Sequence, residues 1–149
     1  MREISFKAKR KDNGDWIEGF LTICDERYFI VENGKVDCLC FDILPKGQYV
    51  FMPYIEVDQS TVSQFTGLTD KNGKKIFEGD IVLVLGNQQV DDWKNVDYVA
   101  LIAFLDGGFC AIDGTVEEHG FRRYALARMD FSLEIIGNQF DNPELLENP

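Results

Sequence analysis

The sequence predicts a mainly β protein, with N-terminal β-hairpins followed by a small SH3-like β-barrel and a short C-terminal helical turn. Three observations lead there. Turn pairs recur at short intervals, at Asn13-Gly14, Asn33-Gly34, Asn72-Gly73, Asp106-Gly107 and Asp113-Gly114. The runs between them are short and rich in Val, Ile, Phe and Tyr. Helical periodicity is scarce.

Each element follows from local chemistry. Ile4–Ala8 alternates apolar and polar residues as a half-buried strand does, and Trp16–Leu21 answers it across the first turn. Tyr28–Val31 and Val36–Phe41 bracket the second. Val50–Met52 is a further strand before Pro53, and Val62–Thr66 another. Ile81–Leu85, Val99–Leu105, Phe109–Ile112 and Leu133–Ile136 supply the strands of the second half. A short turn is expected within Val116–Met129. The chain's end is the clearer helical case. Asn142 suits an N-cap, Pro143 the first helical position and Glu144 the positive end of the helix dipole. The polar stretch 86–95 reads as a loop. A soft boundary at Asp58-Gln59-Ser60 separates an N-terminal β-hairpin region, residues 1–60, from an SH3-like barrel region, residues 61–149. Sixty residues make only a marginal core, so the two regions are expected to form one compact unit.

The most informative stretch is Val62–Val84, VSQFTGLTDKNGKKIFEGDIVLV. Asn72-Gly73 predicts a type I′ hairpin turn, in which both central residues take φ > 0. Glu78-Gly79-Asp80 predicts a tight corner: Gly79 adopts a left-handed conformation without a Cβ clash, and the Asp80 carboxylate accepts nearby backbone N–H groups. A calcium loop beginning at Asp70 is excluded by counting, because the sixth position is Lys75 and the twelfth Ile81, where Gly and Glu are required. No cofactor is expected.

Composition narrows the function. Among 149 residues, 26 are acidic and 15 basic, for a net charge of −11, and the excess concentrates after Leu85, where twelve acids face four bases. Such a field repels phosphate backbones and anionic lipid, which makes direct nucleic-acid binding and membrane-surface binding unfavourable. The basic cluster Lys7, Lys9, Arg10 and Lys11 reads as a solvated strand face. No apolar run reaches signal-peptide or membrane-spanning character, so a cytoplasmic protein is expected. The cysteines are Cys24, Cys38, Cys40 and Cys110, with His119 the single histidine. Cys38 and Cys40 lack the spacing of a zinc knuckle and are read as buried reduced thiols, metal binding being the alternative.

Three stretches resemble the YopX-like proteins of phages and prophages. They are the opening MREISFKAKRKDNGDWIEGFL, the central SQFTGLTDKNGKKIFEGDIV and the ending EIIGNQFDNPELLEN. On that resemblance Gly67, Asn72, Gly73, Gly79, Asp80, Gly137 and Asn138 are structural signature positions. The resemblance implies a mostly β fold and a phage or prophage origin, and it assigns no catalytic residue.

Three functional classes remain. The leading one is a protein-binding module engaging a host or phage protein. Its candidate contacts are Trp93, otherwise a loop anchor against the barrel, and exposed aromatics such as Phe109 or Phe121. The second is an acidic mimic of nucleic acid that occupies a host DNA-binding protein. The third is an enzyme working through carboxylates such as Glu78, Asp80, Asp91, Asp92, Glu117 and Glu118. Phosphate-cradling loops, nucleophile elbows and His pairs are absent, so the protein is not expected to be an enzyme. A homo-oligomer is compatible with each class.

Overall fold

The computed structural model describes residues 1–32, 54–85, 97–113, 123–126 and 132–147. Two compact units divide the chain, Met1–Gln64 and Phe65–Pro149. Both are antiparallel β. The mainly β class is observed, and among the described residues no sheet closes through a continuous ladder into the expected SH3-like barrel.

In the first unit the strands β1 (Phe6–Lys9), β2 (Trp16–Cys24), β3 (Arg27–Glu32) and β4 (Tyr54–Val57) lie in the order β4-β3-β2-β1. Beyond β1 comes the start of β5 (Ser63–Thr69), where Phe6 pairs with Gln64 and Lys7 with Ser63. The sheet curls enough for its ends to touch. Arg10 forms an isolated bridge with Val57, the Lys11 N–H donates to the Glu56 carbonyl at 3.0 Å, and the Asp58 N–H donates to the Lys9 carbonyl at 2.8 Å. Inside the curl, Ala8, Ile17, Ile30 and Val57 form a buried core flanked by Phe6, Leu21, Tyr28, Ile55 and Val62. Fully burying a side chain of this kind contributes about 1.5–3 kcal/mol. The Asp58 carboxylate caps the 3-10 turn Gln59–Thr61 through the Ser60 N–H at 3.0 Å.

The hairpins of this unit differ from expectation in an instructive way. Both edges of β3 are taken, one by β2 and the other by β4. Asn33-Gly34 and the strands expected at Val36–Phe41 and Val50–Met52 lie outside the described residues. The β2–β3 turn is Asp25-Glu26, with φ of 48° and 62°, a two-residue turn in the left-handed region without a glycine. That region costs a non-glycine residue roughly 1–2 kcal/mol. Replacing Glu26 with Gly removes the strain but adds freedom to the unfolded chain. Glu26→Gly is therefore expected to stabilise the protein by about 0.5–1 kcal/mol, measured by urea unfolding.

In the second unit β6 (Lys75–Phe77) pairs with the far half of β5, Phe65 opposite Phe77 and Thr69 opposite Lys75. The remaining strands are β7 (Asp80–Leu85), β8 (Tyr98–Leu105), β9 (Gly108–Asp113), β10 (Arg123–Ala125) and β11 (Ser132–Asn138), in the order β10-β9-β8-β7-β11. Ile76, Val82, Val84, Ala100, Ile102, Ala111, Leu126 and Leu133 make its buried core. Within the stretch expected to hold a short turn, Arg123–Ala125 forms β10 on the ladder of β9, and Leu126 follows in 3-10 conformation. A 3-10 turn at Pro143–Leu146 ends the fold as expected, with Pro143 in its first turn. Asn142 makes no side-chain cap there; its Oδ1 accepts the Asn138 N–H at 3.3 Å instead.

Candidate functional site

Apart from Gly67, the signature residues gather around two places on β11. At the first, the β5–β6 hairpin turn runs from Asp70 to Lys74. The Gly73 N–H donates to the Asp70 carbonyl at 3.0 Å, and the Asp70 N–H to the Lys74 carbonyl at 2.8 Å. Gly73 has φ of +81° while Asn72 keeps negative φ, which corrects the expected type I′ turn. The pattern is a three-residue loop with a left-handed glycine after a tight turn. Asp70 organises it: Oδ1 accepts the N–H groups of Asn72 and Lys74, both at 2.9 Å, and Oδ2 accepts that of Ile135 on β11 at 3.2 Å. Gly67, with φ of +88°, lies in β5 within the register shift between Phe65 and Thr69. Beside it the Thr66 hydroxyl donates to the Ile76 carbonyl at 2.8 Å.

At the second place Gly79, Asp80, Gly137 and Asn138 come together. Asn138 pairs with Asp80 and Gly137 with Ile81 in the β7–β11 ladder. Gly79 takes φ of +84°, donates its N–H to the Ile102 carbonyl at 2.7 Å and accepts the Gln139 N–H at 2.8 Å. A Cβ on Gly79 would lie 2.9 Å from Gln139 Nε2, and one on Gly137 only 2.6 Å from Asn142 Oδ1. Asp80, 2% exposed, accepts the Phe77 N–H at 2.8 Å. Asn138 Oδ1 accepts the N–H groups of Phe140 and Asp141, each at 3.0 Å.

This chemistry is that of a clamp. Asp70 is 6% exposed, and burial pushes its carboxyl up; the N–H groups of Ile135, Lys74 and Asn72, with the Lys74 charge, outweigh burial and hold it below 3.8. Both buried carboxylates engage main-chain N–H groups. Among the described residues no group of three or more His, Cys, Asp or Glu is placed to hold a metal ion. Glu78 and Asp80 do fall there, whereas Asp91, Asp92, Glu117, Glu118, Cys38, Cys40, His119, Trp93 and Phe121 lie outside the described residues. Asp70 as a clamp was missed by sequence reasoning, although Asp before an Asn-Gly turn favours capture of local N–H groups.

The basic cluster is engaged locally. The Lys7 and Lys9 ammonium groups lie over the Trp16 ring, 5.1 and 5.5 Å from its centroid. Arg10 pairs with Asp12 at 2.6 Å. Lys11 and Arg27 both reach Glu56, and the Arg27 hydrogen bond, then that of Lys11, brings the Glu56 carboxyl down to about 2. Phe109 corrects the expectation of exposure: it is half-buried, packs against the core and meets Phe104 edge-to-face with centroids 5.1 Å apart. Among the described residues the exposed aromatics are Phe20, Tyr54 and Phe104. Phe20 and Tyr54 stand in one row on the outer face of the first unit, each opposite Val31, because Phe20 pairs with Val31 and Val31 with Tyr54. Phe29 meets Tyr54 edge-to-face at 6.4 Å, with Arg27 over the Phe29 ring at 5.1 Å.

A family profile described as YopX protein matches residues 5–147. Among solved structures the chain is similar to protein EF1440 from Enterococcus faecalis, at 25% identity and a TM-score of 0.51, over 98% of this chain and 99% of that one. No curated protein matches.

Proposed function

The chain belongs to the YopX protein family, and from that premise we propose that it is a protein-binding module, not an enzyme, encoded by a phage or prophage and working in the cytoplasm of the bacterial host. One observation carries this reading. Phe20 and Tyr54, 55% and 48% exposed, share a sheet face with Phe29 and Arg27. Aromatic and Arg side chains on one rigid face are the chemistry of interface hot spots. The buried carboxylates of the signature run support the same reading from the other side, since their bonds go to the backbone. Among the described residues no helix is long and apolar enough to cross a membrane.

A nucleic-acid mimic needs its acids in an outward stripe. Asp12, Glu56 and Glu134 instead pair with Arg10, with Arg27 and Lys11, and with Lys71. No observation favours that reading or the enzyme over the binding module.

The test is affinity capture from phage-induced host lysate with wild type, the double variant Phe20→Ala/Tyr54→Ala, and Trp93→Ala. One specific partner is expected with wild type. The double variant should bind it at least tenfold more weakly, as loss of about 2 kcal/mol at a hot spot requires. Capture of no specific partner, or equal capture by the double variant, overturns the proposal.

A further inference from the structure

The sheet of the second unit ends at β11, and the outer edge of that strand is covered. The Leu133 carbonyl accepts the Lys71 N–H at 2.8 Å, and the Ile135 N–H donates to Asp70 Oδ2 at 3.2 Å. Between them in sequence, the Glu134 carboxylate meets the Lys71 ammonium at 2.6 Å. An antiparallel neighbour would engage the same carbonyl and N–H, which belong to alternate residues of one edge. The turn thus imitates a strand, using one main-chain N–H and one side-chain carboxylate. Past Ile135 the β7 register shifts before Gly137, an irregularity that bends the edge. Covering and bending are two ways in which proteins keep edges from unwanted pairing.

The two oxygens of Asp70 have separate tasks. Oδ1 folds the turn through Asn72 and Lys74, and Oδ2 alone reaches β11. Opening the edge takes release of Oδ2 together with the Lys71 N–H bond to Leu133 and the Lys71–Glu134 pair, and it leaves the Oδ1 bonds that fold the turn. Lys71 would leave with the turn, so Glu134 would then need a new cation. A second copy of the chain, pairing edge to edge about a two-fold axis through Glu134, would set Glu134 against its own counterpart, and like charges directly opposite are unfavourable.

We propose that the Asp70–Lys74 turn is a removable guard, and that the Leu133–Ile135 edge beneath it accepts an extended segment of a partner protein carrying Lys or Arg opposite Glu134. This is recognition by strand addition, in which main-chain bonds give affinity and the cation gives selection. The surface is separate from the aromatic row of the first unit, and its test does not use that row.

The test takes nitrogen-15-labelled wild type and Asp70→Asn. In the variant Oδ1 still serves the turn, while the side-chain amide opposes the Ile135 N–H donor to donor. The probe is a synthetic seven-residue peptide, Val-Ser-Val-Lys-Val-Ser-Val, with a control bearing Glu in place of Lys. In wild type, native-state exchange should release the Lys71 and Ile135 amides together, ahead of the β7 amides. Asp70→Asn should bind the Lys peptide, with shifts centred on Leu133–Ile135, at least tenfold more tightly than wild type does and than it binds the Glu peptide. Three results overturn the proposal: Ile135 exchanging only with the β7 amides, a variant whose β11 resonances ignore the Lys peptide, or a variant that dimerises through β11 in preference to binding it.

Discussion

Gly19→Ala is expected to destabilise the first unit by about 3–5 kcal/mol, the range of clashes that a core cannot absorb by side-chain movement. Gly19 pairs with Glu32, and a Cβ built on it falls 1.9 Å from the Val31 carbonyl oxygen, 2.7 Å from its carbon and 2.9 Å from the Glu32 Cα. All three obstacles are backbone. Relief therefore requires β2 and β3 to part where the sheet curls, at the expense of ladder bonds and of packing around Ile17 and Ile30. Gly108→Ala is the matched control: nothing lies within 4 Å of its added Cβ, and its stability should stay within about 0.5 kcal/mol of wild type. Urea unfolding followed by the fluorescence of Trp16, a residue of the first unit, measures both. A Gly19→Ala chain as stable as the control would refute the close approach of β2 and β3.

The second large effect belongs to Asp70. Asp70→Ala removes the acceptor from three N–H groups, those of Asn72, Lys74 and Ile135. Hydrogen bonds to a charged group contribute roughly 1.5–3 kcal/mol each; with water reaching part of the turn, the total loss is expected to be about 2–4 kcal/mol. The pH dependence follows from the direction of the shift. The folded carboxyl sits below its ordinary 3.8, so its stabilisation is fully present above that value and disappears as pH falls through the lower folded value. The gap between wild type and Asp70→Ala should therefore be full at neutral pH and close under strong acid. A gap that widened on acidification would contradict the clamp.

Much of the fold was legible in local chemistry. Asn13-Gly14 and Asp106-Gly107 do mark hairpins, and Gly79 adopts the left-handed corner that its position demanded. The apolar run at Ile81–Leu85 is a strand with Ile81, Val82 and Val84 buried. What local chemistry could not reveal was pairing. β4, Tyr54–Val57, carries no strong local signal and is held in place by β3 and by the end of β1. Arg123-Tyr124-Ala125 favours no single state by itself, and the partner strand decides it. Gly19 carries no turn signal, since its constraint comes from Val31 across the sheet. Asn142 suited a cap by type, yet its side chain serves Asn138, in a corner that joins residues distant from the signature run. In the signature itself the corner was foreseen, but the connection of Asp70 to Ile135, 65 residues away, was not.

On the proposed reading the signature carboxylates hold backbone and do no chemistry of their own. Asp80 tests it most directly, being 2% exposed and bonded to the Phe77 N–H. A buried carboxylate kept for reaction or binding is commonly held at a cost, so its removal leaves stability unchanged or raised. One kept as a clamp leaves an unsatisfied N–H when removed and destabilises by about 1–3 kcal/mol. The measurement is urea unfolding of Asp80→Ala at neutral pH. A midpoint lowered by that amount with an unchanged slope is the predicted result, and a variant as stable as wild type or more so would contradict it.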